Sequence, residues 1–234
     1  PTGEALLPYA KATLDAADAF LAQSRGALGE LAGPLNIGII PTIAPYLLPG
    51  VLIGIEENYP DLEPRIVENQ TDQLLQMLRD GQLDLAVLAT PTHAPGLEQL
   101  PLYDEPFVAV TNPDDPLAGR TDLGLDSLKD LNLLLLDDGH CLRDQIVELC
   151  KIAEATPGAR KHAVTRASSL TTIVQLVVAG LGSTLIPASA VGTECSRPGV
   201  ASATFANGVQ AQRTVSLVYR ASVSYTHLRA HETL

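Results

Sequence analysis

The chain has 234 residues, enough for one large domain or two small ones around a substantial core. Its 27 acidic side chains against 15 basic ones leave a formal charge of −12, which excludes a broad basic face for nucleic acid or anionic lipid. A content of 46% hydrophobic and 18% charged residues excludes a disordered chain. No apolar run approaches the ~18 residues of a membrane span and no leader-like segment opens the chain, so a soluble, cytoplasmic protein without a membrane partner is expected.

Residues 1–33 read as a linker or coiled-coil helix. Leu7, Leu14, Leu21 and Leu28 recur every seven positions, with Ala10, Ala17 and Leu31 on the other half of the seam. A plain surface helix packed on its own domain gives the same stripe. The pattern begins in mid-repeat at Pro1 without an initiator Met, so the sequence reads as part of a longer protein. A strand then follows over 35–40, and a stretch punctuated by Pro41, Pro45 and Pro49 leads into a helix ending near Tyr59 and Pro60. A strand over 64–68 precedes Thr71, which reads as the N-cap of a helix carrying Leu74, Leu75 and Leu78 and closed by Gly81; a strand over 83–88 comes next. This is a parallel α/β unit.

A second unit of the same kind reads as a strand over 131–136, a helix from about Gly139, a strand over 162–166, a helix over 169–179 and a strand over 183–186. The turn-rich Asn112-Pro113-Asp114-Asp115-Pro116 is the expected crossing point between the units. Two α/β lobes imply a cleft where the strand ends place ligands. After a strand over 214–219, residues 222–234 change composition and read as a non-native tail. His227 and His231 in it have the i, i+4 spacing of metal ligands, but no third ligand and no Glu after the first His support a metal site.

Three cysteines, an odd number, do not make a secreted disulfide framework. In Asp137-Asp138-Gly139-His140-Cys141-Leu142-Arg143-Asp144-Gln145, Cys141 falls in the first turn of a helix. There the unpaired amides and the helix dipole favour a thiolate, and His140 and Arg143 could add positive charge, while Asp137, Asp138 and Asp144 oppose it. Cys150 lies in the same helical pattern. Nine helical steps would put the two Cα atoms roughly 13 Å apart on opposite faces. A disulfide needs them within about 7 Å. Two readings stand on the residues alone: a switch that unwinds to form the bridge, or a Cys150 merely buried on an apolar helix face.

The GHCLRDQ run with Cys150 nine positions after Cys141 closely resembles the regulatory domains of the hydrogen-peroxide-sensing members of the LysR-type transcriptional regulators. Further matches are Ile40-Pro41-Thr42 with Pro45-Tyr46-Leu47-Leu48-Pro49, Gln70-Thr71 with Gln73-Leu74-Leu75, Asp104-Glu105-Pro106, and Leu217-Val218-Tyr219-Arg220, so the resemblance spans 34–220.

It implies two Rossmann-like α/β lobes of periplasmic-binding-protein type behind a linker helix. The first lobe takes 34–112 plus 209–221, with a late strand over 212–219 pairing back onto it; the second takes 113–208 and the redox cysteines. By resemblance, peroxide oxidises Cys141 to a sulfenic acid that Cys150 resolves as a disulfide. Thr42, Thr71, His140 and Arg213 match the family's peroxide-binding residues. Cys195 has no counterpart and reads as incidental. The resemblance further implies homodimers, tetramers of the whole regulator, DNA binding through a winged helix-turn-helix N-terminal to this chain, and no cofactor. It implies a stoichiometric sensor and not an enzyme. The rivals are a domain binding a small organic effector in the cleft with inert cysteines, and a thiol peroxidase with sustained turnover.

Overall fold

Strand β1 (Gly33–Ile39) buries Ile37 and Ile39 and lies between two parallel neighbours, β2 (Leu62–Glu68) and β3 (Leu85–Leu88). This is a computed structural model, and it describes residues 13, 31–89, 94–155 and 166–221. The heptad stripe of the linker helix, the tail with His227 and His231, and most of the strand expected over 162–166 lie outside the described residues.

Helices α1 (Ala44–Asn58) and α2 (Thr71–Arg79) connect the three strands. Leu74 and Leu78 of α2 are fully buried against the sheet. A Cβ at Gly38 of β1 would lie 2.6 Å from the Leu83 side chain and 2.9 Å from that of Leu74, so glycine is what lets this helix sit so close. Thr71 is not the N-cap. The extended residue before α2 is Gln70 (φ −70°, ψ 158°), whose carbonyl accepts from Leu74 N at 3.1 Å. Asn69 Oδ1, accepting from Gln70 N at 3.0 Å, sets the turn one residue earlier than the sequence suggested.

The longest strand has no counterpart in the sequence reading. β4 (Leu97–Thr111) runs antiparallel to β9 (Gln212–Arg220) as far as Pro106, with a register shift between Pro101 and Tyr103. β9 also pairs with β3, completing the first sheet in the order β2-β1-β3-β9-β4. From Phe107 onward β4 instead pairs with β7 (Thr184–Pro187) and β8 (Ala201–Thr204). The chain therefore passes between sheets at Pro106–Phe107, upstream of the expected turn over 112–116. The buried residues of the second half of β4 simply continue the strand into the second lobe's core.

In that second lobe the strand expected over 131–136 shortens to β5 (Leu135–Leu136), paired parallel with β6 (Arg166–Ala167). An isolated bridge from Leu133 to Ser183 ties it toward β7. Its helices are α3 (Cys141–Ile152), α4 (Leu170–Val178) and α5 (Ala188–Glu194). Ser169 caps α4 by accepting from Thr172 N at 3.2 Å. Two hydrophobic clusters result. One holds Ile39, Leu74, Leu88 and Val218; the other holds Phe107, Leu142, Ile146 and Leu185.

Candidate functional site

Between β5 and α3 the chain turns at Gly139, whose φ of +91° is open to glycine but strained for other residues. A side chain there would also strike the Gln70 carboxamide, which donates to Asp138 O at 3.5 Å. The turn thus lies flat against the start of α2. His140 is extended and Cys141 is the first helical residue, at the end where unpaired amides and the helix dipole favour an anion.

Leu142, Ile146 and Leu149 of α3 face the second lobe's core, but Cys141, 7% exposed, belongs to the cluster of the first lobe. Gln145 reinforces that attachment by donating to Ala89 O at the end of β3, 2.5 Å away. Cys141 opens on a shallow, closely packed recess lined also by Ile40, Pro41, Thr42, Gln70, Thr71, Gly139 and His140.

The two groups that could add positive charge beside the thiol differ in state. Burial pushes the His140 imidazole below its ordinary value of 6.5, against a weaker opposing pull from Asp137, so at neutral pH it is an uncharged hydrogen-bonding group. Arg143 is paired with Asp138 at 2.5 Å and reaches Asp144 at 3.8 Å. Arg213 on β9, whose side chain is fully buried, is likewise paired, with Glu105. Its Nη1 donates to Thr42 Oγ1 and its Nη2 to Thr42 O, both at 3.0 Å. Thr42 and Thr71 thus line the recess with His140, while Arg213 stands behind Thr42. Thr71 Oγ1 is buried and has no hydrogen-bond partner among the described residues. It is a donor without a recipient.

Sequence reasoning gave no role to two buried carboxylates. Glu105 holds Arg213, accepting from Nε at 2.8 Å. Glu194, at the end of α5, accepts from Tyr46 Oη of α1 at 3.0 Å and from Thr171 Oγ1 at 2.9 Å. Burial, and then the Glu194 carboxylate, drive the Tyr46 phenol far above its ordinary range. These groups meet between the lobes and satisfy one another.

Cys150 is 1% exposed in the second lobe's core, and burial pushes its thiol up. Because α3 is continuous from Cys141 to Ile152, the two thiols stand on opposite faces with Cα atoms roughly 13 Å apart. Both are free. Cys195 is half-buried at the end of α5, its thiol pushed up by burial and then by Glu194, with Arg197 opposing.

The LysR substrate binding domain family matches residues 28–227, and the chain belongs to that family. Within it the chain is a redox-sensing regulatory domain of the OxyR type, a sensor rather than a turnover catalyst. It is 48% identical over 223 residues to the probable hydrogen peroxide-inducible genes activator of Mycobacterium avium, covering 95% of this chain and 70% of that protein. It is 60% identical to an H2O2-bound cysteine-to-serine mutant of Corynebacterium glutamicum OxyR, with a TM-score of 0.83 over 95% of this chain and 69% of that one. Against the oxidized form of the same protein, identity is 58% and coverage 97% and 69%, yet the TM-score is 0.74.

Proposed function

We propose that this chain senses hydrogen peroxide through Cys141 and Cys150. The Cys141 thiolate attacks one peroxide oxygen; the S–O bond forms, the O–O bond breaks, and the departing hydroxide takes a proton to become water. Thr42, Thr71 and His140 bind the peroxide and donate to the departing oxygen, with Arg213 supporting Thr42. Cys150, as thiolate, then attacks the sulfenic sulfur; the S–S bond forms and a second water leaves. Two thiols and one peroxide give one disulfide and two waters.

The observation that supports this most directly is the recess. It brings the Cys141 thiol together with two threonine hydroxyls and a neutral histidine, one hydroxyl being buried without a partner. A cysteine-to-serine variant of the relative from C. glutamicum has been solved with H2O2 bound. Because the thiols stand on opposite faces of one helix, closing the disulfide requires the start of α3 to unwind. That change would alter how regulatory domains associate in homodimers and tetramers, and so the DNA binding of a winged helix-turn-helix domain belonging to the whole regulator. The crossing at Pro106–Phe107 moves the expected lobe boundary, and the lobes are proposed as 34–106 with 212–221, and 107–211. The test is sulfenic-acid trapping with dimedone in Cys150→Ser after near-stoichiometric peroxide. A single adduct on Cys141 is expected; an adduct elsewhere or none overturns the assignment.

A further inference from the structure

The recess is lined by Thr42, yet the hydroxyl of a threonine rotates freely and can donate or accept in several directions. What fixes it here lies outside the recess. Glu105 and Arg213 are register partners on β4 and β9, and both side chains are buried, that of Glu105 being 4% exposed. Arg213 Nε and Nη2 each reach Glu105 Oε2 at 2.8 Å. The other carboxylate oxygen, Oε1, accepts from Ser189 N of α5 at 2.9 Å. Glu105 is thus anchored on both oxygens, and it anchors one edge of a planar guanidinium.

A planar fork held along one edge has no freedom left in its remaining N–H directions. Nη1 is aimed at Thr42 Oγ1 and Nη2 at Thr42 O. Arg213 can only donate, so Thr42 Oγ1 must accept from it, and the hydroxyl proton is left to point elsewhere. The adjoining carbonyl of Thr42 is already engaged by Nη2. The recess, which Thr42 lines, adjoins this hydroxyl.

Resting on the reading of the recess as a peroxide site, we propose that Glu105 is a positioning residue for peroxide recognition. By clamping Arg213 it presents the Thr42 hydroxyl to the recess as a donor. Glu105 lines no part of the recess itself, so its influence passes through Arg213 and Thr42. Without the carboxylate, a fully buried guanidinium loses its counter-charge and turns to other acceptors. Thr42 is then free to donate away from the bound peroxide.

The test is a double-mutant cycle on the rate of Cys141 oxidation by hydrogen peroxide, comparing the unaltered chain, Glu105→Gln, Thr42→Val and the double variant. Glu105→Gln is expected to slow oxidation about tenfold, the worth of roughly one hydrogen bond. In the Thr42→Val background the same change should cost less than about twofold, because the hydroxyl it positions is gone. Loss of fold stability alone would not produce that difference. Should Glu105→Gln not fold, Glu105→Asp, which keeps the charge but retracts it, is expected to show the same non-additivity. Equal slowing in both backgrounds, or none in either, overturns the proposal. If Thr42→Val slows oxidation while the Glu105 variants do not, only the positioning role fails; if Thr42→Val is also without effect, the peroxide role of Thr42 fails with it.

Discussion

Cys141 and Cys150 lie on one helix, are both buried and are both free thiols, yet they belong to different lobes. Cys141 packs into the first lobe's cluster and faces a recess with two hydroxyls and an imidazole. Cys150 is enclosed by the second lobe's core, where burial raises its pKa and keeps it protonated. Residue type and burial are the same at both positions; the polar groups opposite the sulfur are not. On the proposed reading, the difference in reactivity comes from what the neighbouring lobe contributes. Under the proposed chemistry α3 is the element through which oxidation in one lobe would be felt by the other, because bridging sulfurs roughly 13 Å apart in the helix requires that helix to give way.

The largest effect should come from removing the thiol that faces the recess. Cys141→Ser is expected to abolish peroxide oxidation, leaving Cys150 unmodified in mass mapping. Modification of Cys150 in that variant would show that the second lobe's core does not protect its thiol. Cys150→Ser should leave sulfenic acid formation intact and remove the intramolecular disulfide. A bridge between Cys141 and Cys195 in its place would transfer the resolving role.

Smaller effects sharpen the contrast. Thr71→Val deletes a buried hydroxyl that has no partner among the described residues, at nearly constant volume. Oxidation of Cys141 should slow about tenfold, as for one lost hydrogen bond. Thermal stability should hold or rise by up to ~1 kcal/mol, since an unsatisfied polar group has been removed. An unchanged oxidation rate with raised stability would leave Thr71 without a chemical role.

The smallest effect concerns pH. Burial lowers the His140 pKa in the folded state, so below its ordinary value of 6.5 the unfolded chain binds a proton that the folded chain does not. Stability should therefore fall as pH drops below about 6.5, and His140→Gln should flatten that part of the melting-temperature profile. An identical slope in the variant would place the titration elsewhere.

Much of the first lobe was legible because β1, α2 and β3 have short, clean periodicities. The early turn of α3 was legible for the same reason. β4 was not. Pro101 and Pro106 interrupt it, Leu102 and Tyr103 are exposed at its register shift, and Asp104 and Glu105 lie where an apolar strand pattern would be sought. Only the run from Phe107 onward carried a strand signal. Glu105 was visible as part of a sequence match, but its role depends on Arg213, 108 residues away, and on an amide of α5. The balance of charge near Cys141 was left open for a related reason. Sequence places His140 and Arg143 beside the thiol, but only packing shows that one is neutral and the other paired with Asp138.

The most direct measurement is peptide mass spectrometry after brief, near-stoichiometric hydrogen peroxide, with remaining thiols blocked, to establish which cysteines become linked. A single disulfide between Cys141 and Cys150, with Cys195 free, is the expected result and requires the start of α3 to unwind. Three unmodified thiols, or a bridge that omits Cys141, would contradict the division of roles between the two lobes.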